Sequence, residues 1–298
     1  MNIEVLSAPK ADDQRAIVQL AAAAEAADLV PPFSEQPLMD LAAARETQRQ
    51  VVAREPETDR VIGAALIDMV GASVELTVHP DHRRVGVGSR LLAAARSELA
   101  GKEIAVWAHG DLPAASAFAT ARGGSAERTL LCLGRSLTDR DDEMARPERP
   151  DIELTTFVPG DDDAELLRIN AAAFSWHPEQ GRFSQEELDQ RKGAAWFNEK
   201  YLRLAHIDGQ VNAFVWVKPP IGAETSAELY VLGVHPDAQG RGIGQYLTRE
   251  ALILARNTTA RRMILWTEDT NEAALRTYEA TGFSEDVRDV QYMFKPVE

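Results

Sequence analysis

One stretch of this chain occurs twice at a constant separation. Val78, His79, Pro80 and Asp81 return as Val234, His235, Pro236 and Asp237; Gly86 and Gly88 return as Gly242 and Gly244, and Leu91 as Leu247. Every pair is 156 positions apart. Chance does not hold one offset through a strand end, a glycine loop and a helix start, so the chain reads as two copies of one domain. Its 298 residues suit that reading, at roughly 150 residues per domain. From Thr138 to Asp151 the sequence is mostly charged and carries two prolines, a composition with almost nothing to bury. The expected domains are residues 1–140 and 152–298, joined by a linker at 141–151.

In the second copy, residues 202–207, 211–217, 229–234 and 263–266 are β-branched or apolar runs of strand length. The first two meet at Asp208-Gly209, a hairpin signal. Residues 161–174 and 242–256 have helical patterning, and Ser184 with Glu187 three positions later forms a capping-box start. Hairpins beside a strand–loop–helix unit predict an α+β fold: two tandem domains, each a mostly antiparallel mixed sheet flanked by helices.

Charge and cysteine content narrow the partners. With 47 acidic against 32 basic residues the formal charge is −15, which argues against nucleic acid or an anionic membrane, since both need a basic face. No apolar run approaches the roughly 20 residues of a membrane span. No basic segment followed by an apolar stretch opens the chain, so a cytoplasmic location is expected. The one cysteine, Cys132, sits in an apolar run and is expected to be a buried structural thiol, with no metal site built on cysteine.

The loop after Val234 is the most informative segment. Gln239, Gly242 and Gly244 lie between a strand end and a helix start, where closely spaced amides and the positive end of the helix dipole make an anion site. The spacing is neither the Walker pattern nor the dinucleotide fingerprint. In both copies this loop resembles the GNAT acetyltransferase superfamily, whose members hold the diphosphate of coenzyme A there. The resemblance implies acetyl-CoA as donor cosubstrate and no metal. It places the coenzyme against Leu232, Gly233, Val234, Gln239, Gly240, Arg241, Gly242, Ile243, Gly244 and Gln245 of the second copy. In the first copy the matching residues are Leu76, Thr77, Val78, Arg84, Val85, Gly86, Val87, Gly88 and Ser89. Asn271 is a good N-cap. By the resemblance, Asn271, Glu272, Ala273, Ala274, Leu275 and Arg276 border the pantetheine arm, and Tyr278 faces the thioester sulfur.

The copies are unequal. All five tyrosines, at positions 201, 230, 246, 278 and 292, lie in the second half, and the offset pairs Glu228 with Ala72. The first copy is therefore expected to be non-catalytic. In the second, Glu228 is expected to act as general base toward an amine of pKa about 8. Amides of Leu232, Gly233 and Val234 are expected to meet the developing oxyanion. Tyr278, at an ordinary pKa near 10, supports a thiolate near 8.5, with full proton transfer uphill by roughly 2 kcal/mol. No cysteine nucleophile is placed for a covalent route, so direct transfer in a ternary complex is expected.

Residues from His177 to Gly181, Ala195 to Phe197, Phe214 to Lys218 and the strand opened by Glu228, together with the tandem arrangement, are similar to the mycothiol synthase family. That family acetylates the cysteinyl amine of a cysteine–glucosamine–inositol precursor. The resemblance puts Glu179, Lys218 and Glu228 at the acceptor, with Glu35 reaching over from the first copy. Trp266 is also placed there, at a position where the family more often has tyrosine. The partner implied is a small amine-bearing pseudodisaccharide, acted on by a monomer. Two other readings stay open: a GNAT enzyme for another amine, such as an aminoglycoside or a protein N-terminus, and a non-catalytic acyl-CoA sensor.

Overall fold

The computed structural model describes residues 1–138, 148–176 and 180–296. Most of the expected linker at 141–151, and Glu179, lie outside the described residues. Packing divides the chain into two compact units, Met1–Leu130 with Val287–Glu298, and Leu131–Asp286. This division is not collinear with the repeat, because the last strand of the chain packs with the first copy.

The first unit contains β1 (Asn2–Leu6), α1 (Ala11–Asp28), α2 (Glu35–Ala43), β2 (Gln48–Arg54), β3 (Val61–Asp68), β4 (Ser73–Val78), α3 (Val87–Glu98), β5 (Ile104–Ala108) and α4 (Pro113–Thr120). Strands β6 (Ser125–Ser136) and β12 (Ser284–Phe294) each cross the boundary between units in sequence. Its strands run in the order β1-β2-β3-β4-β5-β12. Only β4 and β5 are parallel; β12 pairs antiparallel with β5, Tyr292 facing Val106. One core lies beneath α3, where Leu91, Leu92 and Ala95 meet Val74, Ile104, Val106 and, from β12, Val290, Tyr292 and Phe294. A second core under α1 and α2 holds Ile17, Leu20, Phe33 and Leu41.

The second unit contains β7 (Ile152–Thr156), α5 (Asp163–Ala173), α6 (Gln185–Lys192), β8 (Leu202–Ile207), β9 (Gln210–Lys218), β10 (Ser226–Val234), α7 (Ile243–Arg256), β11 (Arg262–Glu268) and α8 (Glu272–Glu279). Its strand order is β6-β11-β10-β9-β8-β7, with β10 and β11 parallel. The expected turn between β8 and β9 is present: Asp208 and Gly209 both adopt positive φ, 55° and 78°, which joins two right-twisting strands without splaying them. The capping box of α6 is also formed, Ser184 and Glu187 satisfying each other's end of the helix. Apolar side chains of α7 fill one face of the sheet with Leu229, Met263, Leu265 and Tyr278. The other face is covered by α5 and α6 around Phe214, Trp216 and Trp196. Two mostly antiparallel mixed sheets flanked by helices are the architecture the sequence predicts. Cys132 is buried, with 6% exposure.

Candidate active site

The site in the second unit begins with a defect in a strand. Strand β10 pairs with β9 at Glu228↔Lys218 and Leu229↔Val217, then resumes at Val231↔Trp216, leaving Tyr230 as an extra residue. Such a bulge turns two consecutive side chains to one side and bends the strand. Here Tyr230 and Val231 both pack toward α5 and α6, whereas Ala227, Leu229, Leu232 and Val234 belong to the face under α7. By alternation Glu228 shares the face of Tyr230. Strands β10 and β11 pair only from Ser226↔Arg262 to Glu228↔Ile264. Beyond Glu228 they part, although β10 runs on to Val234 and β11 to Glu268. An opening in the sheet therefore starts at the carboxylate, lined on one side by β10 residues outside that ladder.

Gly233 lies along this stretch, and a side chain there would put its Cβ 2.5 Å from Cε1 of Phe214. Tyr278 approaches from the opposite face: it sits on α8 in the core under α7, is 8% exposed and packs edge-on against Phe283 at 5.9 Å. No described residue hydrogen-bonds its hydroxyl. Burial pushes its pKa up to about 12. The proton is thus held harder than a free phenol holds it. Full transfer to a thiolate of pKa about 8.5 would be uphill by roughly 5 kcal/mol rather than 2, so Tyr278 is suited to donate a hydrogen bond.

The glycine loops are built alike. In each, the histidine Nδ1 accepts from an amide two residues on: Asp237 to His235, and Asp81 to His79, both at 3.3 Å. Gly242 (φ 74°) and Gly86 (φ 90°) cap α7 and α3 in the left-handed region. Tyr246 donates the first amide bond to Gly242, which leaves Ile243, Gly244 and Gln245 ahead of the helical ladder; Arg90 and Gly86 do the same for Val87, Gly88 and Ser89. Gly240, at φ 74°, is matched in the first copy by Arg84 at φ 65°. A non-glycine residue in that region costs about 1 kcal/mol, so the first loop keeps the shape against local preference. The side chains of Gln239 and Arg83 turn away from the loop centre and brace the strands, donating to Val234 O and Val78 O at 3.1 Å. Arg149 holds the second loop through Arg241 O at 3.0 Å.

Other residues singled out from the sequence fall as follows. Asn271 caps α8, its Oδ1 accepting from Ala274 at 3.2 Å. Glu272 and Arg276 form an exposed ion pair one turn apart on that helix. Lys218 faces Glu228 across the ladder, with its ammonium 5.2 Å from the Trp196 ring centre and 5.9 Å from that of Tyr230. Trp266, on β11, is 39% exposed. Glu35 is the first residue of α2 in the first unit. The sequence reading missed Arg191, whose Nε donates to the Tyr230 hydroxyl at 2.6 Å. No periodicity or motif links a helix arginine to a residue 39 positions away.

Two comparisons between the copies need correction. The β4 ladder has no bulge: Ser73↔Asp68 through Val78↔Gly63 are consecutive. Counted back from the loop, Glu228↔Lys218 therefore matches Ser73↔Asp68, so the counterpart of Glu228 is Ser73 rather than Ala72. The first unit also does hold a phenol. Tyr292, carried in on β12, is buried there and donates to Ser116 of α4 at 2.9 Å. The first unit also has a charge cluster of its own: His109 Nδ1 lies 2.6 Å from Asp289, and Glu75, 3.5 Å from His109 Nε2, accepts from Ser34 N and Oγ at 2.7 and 2.6 Å. Among the described residues no group of histidines, cysteines and carboxylates is arranged to hold a metal ion, and no helix is long and apolar enough to cross a membrane.

Both copies match known proteins. Residues 167–283 match the profile described as the acetyltransferase (GNAT) family, and residues 46–123 match an acetyltransferase (GNAT) domain. Among curated proteins, the chain is 40% identical to a mycothiol acetyltransferase of Sanguibacter keddieii, over 97% of this chain and 96% of that one. It is 41% identical to a mycothiol acetyltransferase of Rhodococcus jostii over 90% of each. Among solved structures, a tandem GNAT protein from the clavulanic acid biosynthesis pathway superposes with a TM-score of 0.75 over 100% of both chains at 19% identity, a likeness of fold.

Proposed function

Because the chain belongs to the mycothiol acetyltransferases, enzymes with tandem GNAT domains, we propose that its second copy acetylates the cysteinyl α-amine of a cysteine–glucosamine–inositol acceptor. The observation that carries this reading is the opening in the sheet just past Glu228, with the carboxylate on one face and the Tyr278 phenol on the other. Acetyl-CoA supplies the acetyl group and the leaving thiol. The amides of Ile243, Gly244 and Gln245 suit its diphosphate, and α8 beyond Asn271 suits the pantetheine arm.

Each residue then has one task. Glu228 takes the ammonium proton, directly or through water. Leu232 and Val234, whose amides alternate with that of Gly233 and so face away from β9, donate toward the acetyl oxygen. Tyr278 donates to the departing sulfur, and no cysteine is needed for a covalent step. Lys218, Glu179 and Trp266 hold the acceptor's hydroxyls and amine, since carboxylates accept from such donors and lysine donates to oxygens. The first copy, residues 1–140, binds the coenzyme on its own loop without turnover: Ser73 stands where the base would be, and β4 lacks the bulge. The reading also takes the chain as a cytoplasmic monomer.

Release of coenzyme A thiol from acetyl-CoA, measured with the cysteinyl-glucosaminyl-inositol amine against a panel of aminoglycosides, tests the acceptor. Strong preference for the pseudodisaccharide is expected; equal or better turnover of the other amines would overturn it. Tyr278→Phe tests the phenol. It is expected to lower kcat about 10- to 100-fold and to leave the melting temperature nearly unchanged, because the hydroxyl serves no described protein partner. A fall in stability with unaltered kcat would make Tyr278 a core residue only.

A further inference from the structure

The bulge in β10 has its own support. A strand with an extra residue can relax by slipping its register unless something holds that residue. The Tyr230 ring is boxed between Trp196, 5.0 Å away, and Trp216, 5.3 Å away and edge-on. Its hydroxyl accepts from Arg191 Nε at 2.6 Å. Arg191, in the last turn of α6, is fixed in turn: its guanidinium lies 4.8 Å from the Phe183 ring centre, and Nη1 donates to Glu187 O, one turn back, at 3.2 Å. The guanidinium fork cannot swing away without giving up these contacts together. In the first copy β4 runs without a bulge, and the position of Tyr230 does not exist.

We propose that Arg191 is a positioning residue for acetyl transfer: through Tyr230 it holds the bulge of β10, and so sets where Glu228, two residues before it, and the amides of Leu232 and Val234, just after it, meet the reacting groups. The inference rests on the reading of Glu228 as base. Arg191 touches no reacting atom in this scheme. Its effect is geometric, because a carboxylate displaced by a fraction of an ångström loses alignment with the amine proton, and small misplacements weigh heavily on the chemical step. Lys218 shares the device, since its ammonium lies over the rings of Trp196 and Tyr230 and it stands opposite Glu228.

A double-mutant cycle on the full chain tests this, with Arg191→Met, Tyr230→Phe and the double variant assayed on acetyl-CoA and the preferred amine. Each single change is expected to lower kcat between about 10- and 100-fold while leaving the KM for acetyl-CoA within about twofold. The double variant is expected to lose no more than the worse single one, since both remove the same hydrogen bond. Arg191→Lys, which can still donate to the phenol oxygen, is expected to recover part of the loss and also stands in should Arg191→Met fold poorly. Additive losses, or a lower melting temperature with unchanged kcat, would overturn the proposal. Glu228→Gln separates the two readings. If it is inactive while Arg191→Met is as fast as the parent, only the positioning role fails; if it retains full kcat, the base assignment fails.

Discussion

Glu228→Gln is expected to lower kcat roughly 100- to 1,000-fold while the KM for acetyl-CoA stays within about twofold. Glutamine keeps the size of the side chain at the last paired position of β10 and β11, so the opening beyond Ile264 should persist. What it loses is the capacity to accept a proton from an ammonium, and that loss falls on the chemical step. Glu228→Asp, a carboxylate set back by one methylene, should lie between glutamine and the parent. Steady-state kinetics of the three proteins, with acetyl-CoA titrated at saturating amine, decide the matter. Parent-like kcat in the glutamine variant would remove Glu228 from the proton path.

The second large effect is on stability and lies in the first unit. Burial alone would lower the pKa of His109, but its hydrogen bond with Asp289 and its charge interactions with Glu75 and Asp289 outweigh it and push the value up to about 10. The folded state therefore holds a proton that the unfolded chain releases near pH 6.5. Its stabilisation is complete below about pH 6.5, declines as pH rises from there, and is gone above about 10, a span of up to roughly 4–5 kcal/mol. Asp289→Asn leaves a buried imidazolium with one carboxylate fewer, at an expected cost of about 3 kcal/mol near neutral pH and a flatter alkaline decline. Denaturant unfolding at pH 6 and pH 9 checks both statements. Equal stability of parent and variant at pH 6 would show that the cluster adds nothing to the fold. Because Asp289 arrives on the last strand of the chain, this loss should appear in a unit formed mainly by the first 130 residues.

What could be read directly from the residues was what each segment dictates locally. The glycine loops were legible because left-handed φ and amides ahead of a helix belong to a run of about ten residues, and that run occurs twice. The Asp208-Gly209 turn, the Ser184 box and the Asn271 cap were legible for the same reason. Glu228 and Tyr278 stood out as residues that the first copy lacks.

The bulge was not legible. Tyr230 is an ordinary strand residue in sequence, and only the ladder with β9 shows that it is the extra residue of a bulge, which moves the counterpart of Glu228 from Ala72 to Ser73. Arg191 was missed because its hydrogen bond to Tyr230 joins a helix end to a strand across 39 positions.

By itself, then, the sequence determined that this is a duplicated GNAT chain with two coenzyme-type loops and one set of candidate catalytic groups. Only the tertiary structure decided that the final strand completes the first unit, bringing Asp289 to His109 and Tyr292 to Ser116. Local conformational preference acts over a turn or two, whereas strand pairing and burial are settled between segments far apart, and a constant repeat offset carries no record of which strand fills which sheet.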